Sequence, residues 1–139
     1  MLELHLAILG KKKHYEGYAG ISAGGTSDLN LDPPDNRVYI LLSVDVSMER
    51  NGYVAIYSGN RTDSWLLAKK IIHSYGENTV ISINNIFLIA TDQDRIKIRV
   101  SNSHTNASST VYVNAEYLDL SETDYNKIKD LIKKQYGVS

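Results

Sequence analysis

Strict two-residue alternation governs this chain. In NRVYILLSVDVSM (36–48), Val38, Ile40, Leu42, Val44, Val46 and Met48 fall on one side of an extended strand, and Tyr39, Leu41, Ser43, Asp45 and Ser47 on the other. The same rhythm runs through Leu2, Leu4, Leu6 and Ile8, through Ile96, Ile98 and Val100, and through Val111, Val113, Ala115 and Tyr117. Helical spacing begins only after residue 120. There Ser121 and Asp124 form a capping-box-like start, Tyr125, Ile128, Leu131, Ile132 and Tyr136 follow at helical intervals, and Gly137 is the expected stop. The expectation is an all-β chain, a single antiparallel β-sandwich of about eight strands over 1–120, closed by an amphipathic α-helix over 121–137. With 139 residues, 42% of them hydrophobic, one domain has enough apolar side chains for its own core and too few for two.

Turn signals divide the strands. Asn51-Gly52 marks a reversal, and a three-residue loop Arg50–Gly52 with Gly52 left-handed would set Met48 against Val54 and Val46 against Ile56 in a hairpin. AGGTSDLNLDPPDN (23–36) reads as the longest connection, because Pro33-Pro34 cannot join a central ladder. KKKH (11–14) reads as the wet tip of a hairpin after Gly10. In NTVISINNIFLIATDQD the inward set Ile81 and Ile83 gives way to Ile86, Leu88 and Ala90, so a bulge or bend is expected at Asn84-Asn85. SWLLAKKIIHSY (64–75) is read as a strand, and SNSHTNASS (101–109) as a polar loop.

The run RVYILLSVDVS, GYVAIYSGN, NTVISINNIFLIATDQDRIKIRVSN and TVYVNAEYLDL resembles the single jelly-roll sandwich of virion capsid, decoration and fibre proteins and, more loosely, of tumour-necrosis-factor-like domains. The resemblance covers about two thirds of the chain and matches no catalytic position. The helix after the last strand departs from the tumour-necrosis-factor pattern, which tilts the resemblance toward virion proteins. It implies a structural, non-enzymatic virion subunit, a homo-oligomer whose partners are copies of itself and other structural proteins. Tyr125, Ile128, Leu131 and Ile132 are the candidate assembly interface.

The residues themselves offer little chemistry. There is no cysteine, so disulfides, thiolate metal sites and cysteine nucleophiles are excluded. His5, His14, His73 and His104 lie on separate segments without metal-ligand spacing. Asp92 and Asp94, with Asp119, could supply oxygen ligands, but Asp in a TDQD turn is first a backbone cap. Ser22 and Ser27 sit in a glycine-containing loop that lacks a phosphate-binding ending. No catalytic residue, metal or cofactor is expected. Arg95, Lys97 and Arg99 alternate on one strand face and, with KKKH and Lys127, Lys129, Lys133 and Lys134, could bind phosphates if the three groups converged. The formal net charge of -1 makes nucleic acid the less favoured partner, and solubility the simpler role of these charges. No apolar segment approaches a membrane span, and the order of apolar and charged residues at the start reverses that of a signal peptide.

A second function class remains open. In a carbohydrate-binding module, Trp65, Tyr53 and Tyr57 would stack on sugar rings, and an exposed coplanar row would favour it. The triplets NRT at Asn60 and NAS at Asn106 are candidate glycosylation sites in expected loops.

Overall fold

The computed structural model describes residues 11–61 and 70–136, except for the side chains of residues 70–73, 75, 132, 133, 135 and 136. Among the described residues nine strands and one helix follow in order: β1 (Lys11–Ile21), β2 (Thr26–Leu31), β3 (Arg37–Met48), β4 (Gly52–Asn60), β5 (Lys70–Tyr75), β6 (Thr79–Ile83), β7 (Leu88–Ala90), β8 (Asp94–Ser101), β9 (Ser109–Ser121) and α1 (Glu122–Tyr136). Sheet A runs β1-β9-β3-β6, with β7 also paired to β3, and sheet B runs β2-β8-β4-β5. Every ladder is antiparallel. Because β6 and β7 continue one another along β3, the architecture is an eight-stranded jelly-roll-like sandwich. The expected fold class is thus what the chain adopts.

The interior collects the alternating apolar sets. Val44, Val46, Met48, Val54, Ile56, Ile96, Ile98, Val100, Val111, Val113 and Ala115 are all buried between the two sheets. The expected β3–β4 hairpin does not form. β3 lies in sheet A and β4 in sheet B, so the Glu49–Asn51 connection crosses the sandwich, and Met48 and Val54 belong to one interior without being ladder partners. Gly52 is buried and pairs with Tyr75 of β5. An Asn-Gly pair reports a change of direction, and a corner between layers satisfies it as well as a hairpin does.

The expected single apolar face of β3 is split. A β-bulge between Leu41 and Ser43 shifts its register against β9, so Val38 and Ile40 point out of the sandwich while Val44, Val46 and Met48 point in. On the other flank of β3 the chain breaks between β6 and β7, with Asn85 at a φ of 57°. Ile86 N–H donates to the Leu42 carbonyl at 3.1 Å, joining bulge to break. This is the interruption expected at Asn84-Asn85.

Helix α1 covers the surface so created. Tyr125 and Ile128 are buried against Val38, Ile40, Leu118 and Leu120, with Phe87 and Ile89 at the margin, in a second, smaller core on the outside of sheet A. Ser121 Oγ accepts the Asp124 N–H at 3.1 Å, the N-cap expected from the sequence. Asn36, at a φ of 63°, donates its N–H to Asp92 and accepts the Glu122 N–H, tying the β2–β3 loop to the β7–β8 turn and the helix start.

Two stretches expected to be irregular are strands. Lys11–His14 begins β1, and Thr26–Leu31 is β2, with Leu29 half-buried and Leu31 buried. Both strands are sheet edges, where a polar flank is tolerated, so their Lys, Asp and Asn content disguised them. The turn between them uses Gly24 at a φ of 72°. Ser22 accepts the Gly25 N–H there and Ser27 lies in β2, so this is a corner between sheets and not an anion cradle. Leu2, Leu4, Leu6, Ile8, His5, Trp65 and Gly137 lie outside the described residues.

Two polar clamps hold the ends. Asn102, 1% exposed, donates to the carbonyls of Ile21 and Ala107 and accepts the His104 N–H, locking the β8–β9 loop to the end of β1. Asp119 accepts from Lys13 Nζ at 2.7 Å and Arg37 Nε at 2.8 Å. Burial pushes the Asp119 carboxyl up, but the Lys13 and Arg37 partners outweigh it and hold the group below its ordinary value of 3.8. Its stabilisation is therefore complete above the ordinary carboxylate range and lost as pH falls through the lowered folded value.

Two measurements check this picture. Ile128→Ala should lower unfolding stability in urea by about 2 kcal/mol, because the small second core loses its only fully covered helix aliphatic among the described residues. Asp119→Asn should cost about 1 to 2 kcal/mol at pH 7, discounted because both cations are partly exposed. The gap between wild type and Asp119→Asn should then close as the pH is taken below 3.8.

Candidate interaction surface

The ladders place outward side chains in rows that can be followed across sheet A. Far from the helix lies the row Tyr18–Tyr112–Ser47–Val80, running over β1, β9, β3 and β6. The next row is Glu16–Asn114–Asp45–Ser82. Toward the helix follows His14–Glu116–Ser43. The outer face thus grades from an aromatic and apolar end, through a polar middle, to the helix-covered end.

The distal row is open. Tyr18 is 75% exposed and Val80 69%, both unusually high for large apolar side chains. Together with Met48, Glu49, Asn78 and Thr110 the row lines a shallow trough of about 500 Å³. The Tyr18 and Tyr112 rings meet edge to face, with centroids 6.1 Å apart and planes at 60°. Burial, a hydrogen bond to Glu16, and the charges of Glu16 and Asp45 push the Tyr112 phenol above its ordinary value, so it remains a neutral donor. Glu49 accepts the Thr110 N–H at 2.8 Å and stays ionised at the trough's rim.

Sheet B carries the cationic row, and its charges are already answered. Arg99 forms two hydrogen bonds to Asp28 at 2.8 and 3.1 Å, and Arg95 two to Asp32 at 2.6 and 3.0 Å. Lys97 Nζ lies 3.7 Å from the same Asp28. The Arg99 hydrogen bond holds the Asp28 carboxyl below its ordinary value. β8 is a central strand between β2 and β4, so these residues are neither an edge guard nor a free phosphate grip. The three basic groups do not share a face either. The β8 row projects from sheet B, while Lys12, His14 and the helix lie on the outside of sheet A.

The remaining expected site residues separate. Tyr57 is buried and Tyr53 half-buried around Ala55 on the outside of sheet B, and Trp65 lies outside the described residues, so no exposed coplanar row of the three is seen. Of the helical set, Tyr125 and Ile128 are consumed by the chain's own second core, Leu131 is 48% exposed, and the Ile132 side chain is not among those described. Asn60 is the exposed last residue of β4, not part of a loop, and Asn106 is exposed in the β8–β9 loop as expected. His104 Nδ1 accepts the N–H groups of Asn106 and Ala107, a local cap. Asp94 caps Thr91, Asp92 receives Asn36, and Asp119 is clamped, each with separate donors. Among the described residues no group of three or more His, Cys, Asp or Glu is placed to hold a metal, and no helix is long and apolar enough to cross a membrane. The sequence did contain a signal for the missed row. Tyr112 and Val80 have the parity opposite to their buried neighbours, so each had to face outward.

No protein-family model and no curated protein matches the sequence. Similar solved structures include the cyanophage Pam1 capsid, at 15% identity over 79% of this chain and 86% of that one, with a TM-score of 0.44. Bacillus endospore appendage pili match at 10% identity over 81% and 89%, with a TM-score of 0.42. A carbohydrate-binding module in complex with β-1,4-galactotriose matches at 11% identity over 78% and 83%, with a TM-score of 0.40. These likenesses are too loose to carry an argument about what this chain does.

Proposed function

We propose that the protein is a structural, non-enzymatic subunit that works through subunit contacts in an assembly, a virion being the assembly its resemblance implies. The observation that carries this reading is the Tyr18–Tyr112–Ser47–Val80 row, in which the large apolar side chains of Tyr18 and Val80 stand exposed on one face of sheet A. Large exposed apolar side chains on one shared surface mark contact sites when they form a patch with their neighbours. Among the described residues, the candidate phosphate-binding Arg99 is held by Asp28, and the candidate ligand Asp119 by Lys13 and Arg37.

A second reading is favoured by the same strip. Tyr18 presents an open ring face beside Ser47, Asn78 and Thr110, which could hydrogen-bond a sugar stacked on it. The steep angle between Tyr18 and Tyr112 offers one stacking platform and not an extended one, which favours protein contact over a glycan chain.

The test is a paired measurement on Tyr18→Ala/Val80→Ser. Light scattering should show wild type above the monomer mass, and the double variant should weaken self-association about tenfold, with an unchanged melting temperature because both side chains are exposed. A monodisperse wild-type monomer that binds glycans on an array, and loses that binding in Tyr18→Ala, would replace this reading with the carbohydrate one.

A further inference from the structure

β1 is an eleven-residue edge strand with β9 on one side and, among the described residues, no strand on the other. Its residues are mostly exposed, including Tyr15 at 42% and Tyr18 at 75%. An edge strand of this length is a template for a further strand, because the row of backbone donors and acceptors on its outer side has no partner strand among the described residues. Its charges are distributed unevenly. Lys11, Lys12 and Lys13 occupy the first part, and Glu16 is the sole ionised side chain in the part from Tyr15 to Ile21.

That distribution selects the partner. Parallel, in-register stacking of two β1 strands would set three lysines against three lysines. Antiparallel pairing sets the lysine half of each copy against the lysine-free half of the other. For the pleat to continue, directly opposed residues must share a face, so the two-fold axis has to pass through a residue position. Centred on Glu16, the axis would oppose two carboxylates. Centred on Tyr15, it would oppose Glu16 to His14, a cation only when protonated. Centred on His14, it opposes Lys12 to Glu16 twice, both on the outer face, and Lys13 to Tyr15 twice on the inner face. Lys12 is 58% exposed at its side chain, 3.2 Å from Glu116, so it would stand between its own Glu116 and the second copy's Glu16.

We infer that two copies of the chain join by antiparallel β1–β1 pairing about an axis at His14, extending sheet A across the pair with Lys12 opposite Glu16 in each direction. This rests on the subunit-contact reading above and names one of its contacts; it uses the edge of sheet A, whereas the Tyr18–Val80 row uses its face.

The chain contains no cysteine, so single-cysteine variants report the register directly. His14→Cys, Tyr15→Cys and Glu16→Cys are oxidised separately in the full-length protein. Residues opposed to themselves lie about 4.5 to 5.5 Å apart, within disulfide reach, whereas position 16 would be separated from its copy by about four residues of strand. The expected result is a disulfide-linked dimer that forms fastest for His14→Cys and not at all for Glu16→Cys. In the cysteine-free background, Lys12→Glu and Glu16→Lys should each weaken dimerisation about tenfold, and the combined swap should recover most of the loss. Cross-linking fastest at position 15 or 16, or a combined swap no better than either single variant, overturns the inferred register. A wild-type protein that self-associates without cross-linking at any of the three positions overturns the β1 interface and leaves the subunit-contact reading standing. A wild-type monomer at all concentrations overturns both.

Discussion

The inserted residue Leu42 ends the equivalence of the two faces of sheet A, and most of what lies outside the sandwich interior follows from it. A strand as apolar as β3 in regular alternation would have sent Val38 and Ile40 inward with Val44 and Val46. The bulge turns the first pair outward and creates an apolar seat on an otherwise solvated surface. That seat requires a cover, and α1 supplies it with Tyr125 and Ile128. The helix then divides the outer face into a covered end and an open end, so the exposed Tyr18–Val80 row exists where the helix stops protecting the sheet. The break at Asn84–Phe87 is the matching adjustment in the neighbouring strand, fixed by the Ile86 hydrogen bond to the bulge.

The charged residues obey a comparable economy. β8 looks like a cationic recognition strand when read alone, but β2 brings Asp28 into register with Arg99, Asp32 just beyond β2 reaches Arg95, and each arginine finds a bidentate partner. A planar guanidinium satisfied by two carboxylate oxygens has little capacity left for phosphate. The same holds for Asp119, whose two cations come from opposite flanks of β9. Among the described residues, Arg95, Arg99 and Asp119 thus spend their charge within the chain.

Alternation made the sandwich and the capped C-terminal helix readable from residues alone, because inward positions of buried strands are chosen for apolarity and Ser121 announces the cap. What could not be read was pairing. The period of β3 and β4 is identical whether they are neighbours in one sheet or opposed across two, so Asn51-Gly52 suggested a hairpin that the topology replaces with a crossing. Edge strands β1 and β2 were hidden by Lys, Asp and Asn, residue types that exposure permits at an edge. The bulge at Leu42 was invisible because Leu41 and Leu42 are both apolar and either could be the inserted one. Of the candidate surface, Tyr112 and Val80 carried an outward parity, but their alignment with Tyr18 and Ser47 depended on registers between strands far apart in sequence.

Those distant registers have a consequence for how the molecule is made. Tyr15 is paired with Ala115 and Ile21 with Ser109, so the first described strand closes its ladder with the last. During synthesis β1 emerges well before its partner, and sheet A cannot be zipped until β9 has left the ribosome and slotted between β1 and β3. Loop-closure entropy must be met before that long-range pairing returns anything, which makes slow, late, all-or-none maturation the natural kinetics of this topology. A nascent chain interrupted before residue 109 would be left with β1 and β3 stranded apart and the underside of the sandwich open to water.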